Sequence, residues 1–122
     1  MTYKPLLFQK RFIPLILDGS KTQTRRPLYE NNIKVGDILA LRAPWSRKTY
    51  GLIDIVRVYE HPIGEITEEE VEREGFKSLA EFKKAWGRIY GDINGREVIR
   101  VYEFRVVAGR PLSQEDLRRP QP

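Results

Sequence analysis

A chain of 122 residues with a hydrophobic fraction of 40%, a charged fraction of 32% and a formal net charge of +5 is large enough for one core and not for two. With no Cys and a single His it excludes disulfides, thiolate nucleophiles and ordinary zinc sites, and a serine triad would have to use His61, which "YEHPIG" places in a turn as an exposed loop histidine. No apolar run approaches the ~18 residues of a membrane span and "MTYKPLLFQKRF" lacks a signal-peptide pattern, so a cytoplasmic protein with no membrane partner is expected.

In chain order, residues 5 to 10 read as a short strand and residues 11 to 19 as a short helix, with Pro14 in its first turn and Gly19 at its end. "DGSKTQTRRP" follows at 18 to 27 and crowds Lys21, Arg25 and Arg26 beside Thr22 and Thr24. The threonines spaced by two predict a strand over 21 to 26, with Thr22, Thr24 and Arg26 on one face and Gln23 and Arg25 on the other. A turn at 35 to 37 leads into an alternating strand over 38 to 42. The loop "APWSRK" then carries Trp45, exposed or half-buried, among Arg42, Arg47 and Lys48.

Longer alternating strands are predicted at 49 to 61 and 95 to 107. Between them, Thr67 and Glu70 make a capping box and Ile66 and Val71 a hydrophobic staple, so a helix begins at Thr67, and Gly75 ends it. Ser78 and Glu81 again make a capping box and open a second helix, whose apolar stripe is Leu79, Phe82, Trp86, Ile89 and Tyr90. Residues 111 to 122 form a polar, Pro-rich, flexible tail. Together these elements predict a single α+β domain over residues 1 to 110, a curled mixed sheet or small β-barrel with short flanking helices.

Residues 60 to 74 hold seven carboxylates against one cation, a local charge of −6 that leaves +11 on the remainder. A basic body with one acidic helix is suited to phosphate-bearing ligands.

"LLFQKRFIPLILDGSKTQTRRP" resembles the opening of the ASCH domain family of PUA-like β-barrels, through Gly19, Lys21, Thr24 and Arg26 in a Gly-x-Lys-x-x-Thr-x-Arg pattern. "VGDIL", the helical segment from "EEEVEREGF" to "RIYG", and "VYEFRVV" extend the likeness in order over roughly residues 5 to 107. A bacterial branch of that family is described as acetylcytidine amidohydrolases using a lysine, a threonine and a glutamate. The resemblance puts these on Lys21, Thr24 and Glu74.

The residues are compatible with that chemistry on their own terms. Amide hydrolysis needs a nucleophile, a base, a proton for the leaving amine and a donor for the oxyanion. A threonine hydroxyl can be activated by a neutral lysine, and the neighbouring Arg25 and Arg26 would depress the Lys21 amine; the plainer reading of the three cations is a solvated charge cluster. Helix spacing from Val71 ranks Glu74 level with Glu68, turns Glu69, Glu70 and Glu72 toward water, and leaves the choice to the resemblance. Regular strand alternation would point Lys21 and Thr24 to opposite faces, so a shared site needs a bend near Ser20 or Lys21.

The expected function is therefore a metal-independent and cofactor-independent amidohydrolase of an acylated nucleoside, with Lys21, Thr24 and Glu74 catalytic and Arg25, Arg26, Arg42 and Trp45 binding substrate. The alternative is a non-catalytic RNA-binding module, or an RNA-processing nuclease, in which Arg25, Arg26, Arg42, Arg47 and Lys48 line a phosphate track.

Overall fold

A computed structural model describes residues 3 to 29, 32 to 91 and 95 to 109; the tail at 111 to 122 lies outside the described residues. The order of elements is β1 (Pro5–Leu7), a 3-10 turn (Lys10–Phe12), α1 (Ile13–Leu17), β2 (Gln23–Pro27), β3 (Ile38–Arg42), β4 (Gly51–Pro62), a second 3-10 turn (Ile63–Glu65), α2 (Glu68–Arg73), α3 (Leu79–Tyr90) and β5 (Val98–Gly109). Among the described residues, no helix is long and apolar enough to cross a membrane.

The α+β class is as expected: the five strands form one mixed sheet in the order β1-β3-β4-β5-β2. β1 runs parallel to β3, and every other pairing is antiparallel. The pairing does not close into a barrel, because β1 and β2 end the order at opposite edges. The sheet curls nonetheless: the Arg26 guanidinium on β2 donates to the Leu7 carbonyl of β1 at 2.7 Å, linking the two edges. Register shifts at Leu52/Ile53 and Ile55/Arg57 in β4 mark the irregularities that let a long antiparallel pair bend.

Apolar residues from β1, β3, β4 and β5 and from the three helices meet in one core, including Leu6, Ile13, Leu41, Ile53, Val71, Trp86, Ile99 and Tyr102. The capping box at Thr67 is made in both directions, and Ile66 and Val71 are buried as the staple requires. Ser78 caps α3 by accepting from the Glu81 backbone N–H, so the box expected there is made in one direction only. Gly75 takes φ +91 immediately after α2, which turns the chain toward α3 at a position where an L side chain is strained. Of the predicted α3 stripe, Phe82 and Trp86 are buried whereas Ile89 is 57% exposed, so the stripe narrows toward the C-terminal turn.

Candidate active site

The strand expected over residues 21 to 26 starts two residues later, at Gln23. Gly19 has φ +86, the Lys21 backbone N–H donates to Leu15 in α1, and the Thr22 N–H donates to Arg73 in α2. Lys21 thus stands in the bend that a shared site demanded, outside the strand alternation. Its side chain and that of Thr24 line the same cleft.

That cleft has a volume of about 310 Å³ and lies beside the seam between the two edge strands. Its polar lining includes Lys21, Thr24, Arg25, Arg26 and Glu74 together with Gln9 and Arg11, and its aromatic lining includes Phe8, Phe12, Phe76, Phe82, Trp86 and Tyr90. The solvated-cluster reading of the cations is overturned for Lys21 and Arg25, which are each 3% exposed. They are held there by the acidic helix. Lys21 Nζ donates to the Gln23 carbonyl at 2.9 Å and to the Glu74 carbonyl, and lies 3.5 Å from Glu74 Oε1. Arg25 donates from Nη1 to Glu74 Oε2 at 3.0 Å and to Gln23 Oε1 at 2.9 Å, from Nη2 to Glu70 Oε2, and from Nε to His61 Nε2 at 3.1 Å.

Glu74, not Glu68, is the carboxylate that turns inward; it is 4% exposed at the C-terminal end of α2. Glu70 departs from the expectation that it faces water. Besides closing the capping box it accepts from the Tyr59 hydroxyl at 3.0 Å and from Arg25. Burial pushes the Glu70 carboxyl upward, but the Thr67 backbone N–H, the Arg25 charge and the Tyr59 hydroxyl outweigh it and hold the group below its ordinary range. His61 is likewise no loop residue: it sits on β4, half-buried, with Nε2 accepting from Arg25. Its proton is therefore on Nδ1, which lies 2.6 Å from the Pro62 carbonyl.

Burial depresses the Lys21 amine to about 8; Glu74 pulls the other way, and repulsion from Arg26 and, more weakly, Arg25 adds to the depression. The guanidinium neighbours expected to neutralise Lys21 are thus secondary to loss of water. Thr24 Oγ1 accepts from Arg26 Nε at 3.0 Å, which leaves the hydroxyl proton free to be donated. Among the described residues no hydrogen bond joins Lys21 Nζ to Thr24 Oγ1, and the 3.5 Å contact to Glu74 Oε1 is the longest of the three hydrogen bonds the amine makes.

Two of the sequence-predicted binding residues lie elsewhere. Trp45 is 83% exposed, with φ +63, and Arg42 folds back to donate to the Ser46 carbonyl. Neither lines the cleft, although Pro44 between them does. Gln23, Tyr59, Glu70 and His61 escaped the sequence reading because their contacts to Arg25 and to one another join β2, β4 and α2. Only the inward-facing alternation of Tyr59 and His61 on β4 hinted at a shared neighbour.

No protein-family model matches the chain, and no curated protein matches it by sequence. Solved structures do. An ASCH domain from Lactobacillus crispatus JV V101 superposes with a TM-score of 0.71 at 22% identity, over 79% of this chain and 70% of that one. A DUF984 protein from Enterococcus faecalis V583 gives 0.69 at 19% identity, over 89% and 79%. The ASCH protein of Zymomonas mobilis gives 0.62 at 16% identity, over 96% and 80%. The sheet and helices described above superpose on those ASCH-domain structures, and this chain has the ASCH-domain fold.

Proposed function

We propose that the cleft hydrolyses an amide carried by a nucleoside-sized molecule, an N4-acylated cytidine such as N4-acetylcytidine. The observation that carries this reading is the convergence of Lys21, Thr24 and Glu74 on one small, largely aromatic cleft, with the Lys21 amine depressed toward neutrality. With a value about 8, roughly a tenth of the molecules carry a neutral Lys21 at pH 7.

In the proposed reaction, Thr24 Oγ attacks the acyl carbon and its proton passes to Lys21 Nζ, which swings off Glu74 Oε1 to receive it. Arg26, already on Thr24 Oγ1, stabilises the oxyanion. As the C–N bond breaks, the proton moves from Lys21 to the leaving amine, with Glu74 as the relay. Water then attacks the threonyl ester, giving up one proton to Lys21, which returns it to Thr24 Oγ as the C–O bond breaks; the released carboxylic acid loses its remaining proton to solvent. The aromatic wall supplies apolar surface for the base or the acyl group.

The second reading, an RNA-binding or RNA-processing module, draws on the exposed Trp45 and the exposed Arg47 beside it. The cleft favours it less, because Arg25 is spent on Glu70, Glu74, Gln23 and His61, and Arg26 on Thr24 and Leu7. Chromatography of N4-acetylcytidine incubated with the protein separates the two. Hydrolysis that is insensitive to salt and is lost in Lys21→Ala supports the hydrolase; identical product with the parent and Lys21→Ala contradicts it. A binding affinity for single-stranded RNA that falls steeply with salt, without turnover, is the outcome of the second reading.

A further inference from the structure

Arg25 was expected to bind substrate, yet its guanidinium is fully enclosed and four of its five N–H groups have protein acceptors. It is a branch point. From β2 it reaches Glu70 on α2, Glu74 at the end of that helix, His61 on β4 and the Gln23 amide, while the Tyr59 hydroxyl donates to Glu70 and accepts a hydrogen bond from Gln23 Nε2. Its hydrogen bonds are thus committed mainly to the protein.

The consequence lies at Glu74. Its two carboxylate oxygens are divided: Oε2 is 3.0 Å from Arg25, whereas Oε1 is 3.5 Å from Lys21. A free ammonium–carboxylate pair closes to about 2.8 Å. Arg25, fixed by three further partners, therefore holds the Glu74 carboxylate back from Lys21. The other groups facing Lys21 are the Arg26 charge, the Gln23 and Glu74 carbonyls, and the Phe8 and Phe12 rings at 5.8 and 4.7 Å from the amine. Of these, the Glu74 carboxylate is the one anion, and its distance is what Arg25 controls.

We infer that Arg25 is a positioning residue: by clamping Glu74 it governs how readily Lys21 gives up its proton. Without the clamp, Glu74 closes on Lys21 and locks the ammonium form. Under the proposed function that inactivates the base, but the inference concerns the amine itself and is testable without any substrate.

The test is a pH titration of the Lys21 13Cε resonance, assigned by its loss in Lys21→Arg, in the parent, Arg25→Met and Arg25→Lys proteins. Arg25→Met removes both the charge and the clamp, and raises the proton affinity of Lys21 about tenfold or more. Arg25→Lys keeps a cation but lacks the fork needed to grip Glu74, Glu70 and Gln23 together, and it too raises the affinity. An unchanged or lowered Lys21 titration in Arg25→Met overturns the inference. So does a rise in Arg25→Met with none in Arg25→Lys, which would make Arg25 merely a source of repulsion. Should Arg25→Met fail to fold, Arg25→Lys decides alone. Because no turnover is measured, these outcomes are distinct from failure of the hydrolase reading, which would appear as absent hydrolysis with the Lys21 titration behaving as described.

Discussion

Replacing Glu74 with Gln probes the buried charge network with the least change of shape. In the parent, Glu74 faces two cations, Lys21 and Arg25, that are each 3% exposed. Its amide counterpart can still accept from Arg25, but it turns an NH2 group toward the Lys21 ammonium and leaves one buried positive charge uncompensated. Removing one partner of a buried pair costs about 3 to 5 kcal/mol. The low end applies here, because Arg25 keeps Glu70, His61 and Gln23, and Lys21 keeps the two backbone carbonyls. The expected loss is therefore ~3 kcal/mol, or a fall in Tm of roughly 12 °C for a domain of this size. Urea denaturation at pH 7 with an unchanged m-value measures it. Lys21→Met in the same background should cost less than it does in the parent, since the charge it removes is no longer matched. A loss below ~1 kcal/mol, the level of an exposed ion pair, refutes the burial argument.

The rate of N4-acetylcytidine hydrolysis should rise with pH through about 8 as Lys21 deprotonates, and Lys21→Arg should abolish that limb together with ~10²-fold or more of the rate. Stability carries the same group with a definite sign. Lys21 binds its proton less tightly when folded, about 8, than its ordinary 10.5, so between those values the unfolded chain holds more protons and the Lys21 contribution to stability rises with pH. The urea midpoint of the parent relative to Lys21→Met should therefore improve from pH 7 to pH 10; a constant difference contradicts the buried amine. Gly75→Ala forces an L side chain into φ +91 with its Cβ 3.2 Å from the Phe12 ring, and should cost about 2 kcal/mol by the same denaturation assay.

What the sequence made legible follows from local rules. The Thr67 capping box, the Ile66 and Val71 staple, the Ser78 cap and the long alternating strands are set by neighbours within a few residues; the caps and the staple form where the pattern put them, and the two strands form with their ends one to three residues further along. The bend that brings Lys21 to the Thr24 side was required by strand geometry and is supplied by the Gly19 turn and the Leu15 carbonyl.

Long-range pairing is not encoded in these local patterns. Glu70 turns inward because β2 presents Arg25 and β4 presents Tyr59 to the same side of α2, a meeting that no helical periodicity encodes. His61 looked like a loop residue because Pro62 follows it, but β4 continues through Pro62 in its pairing with Val98 of β5. The arginines looked like the cause of a neutral lysine because they are adjacent in sequence, whereas enclosure by the Phe8 and Phe12 rings and the end of α2 dominates.

In the proposed reaction, Thr24 is the group that takes the acyl chain from nitrogen. Rapid-quench intact-mass measurement with N4-acetylcytidine should find a transient adduct of one acetyl group, mapped by peptide sequencing to Thr24 and absent from Thr24→Val. Hydrolysis that proceeds equally fast in Thr24→Val, with no adduct in the parent, contradicts it.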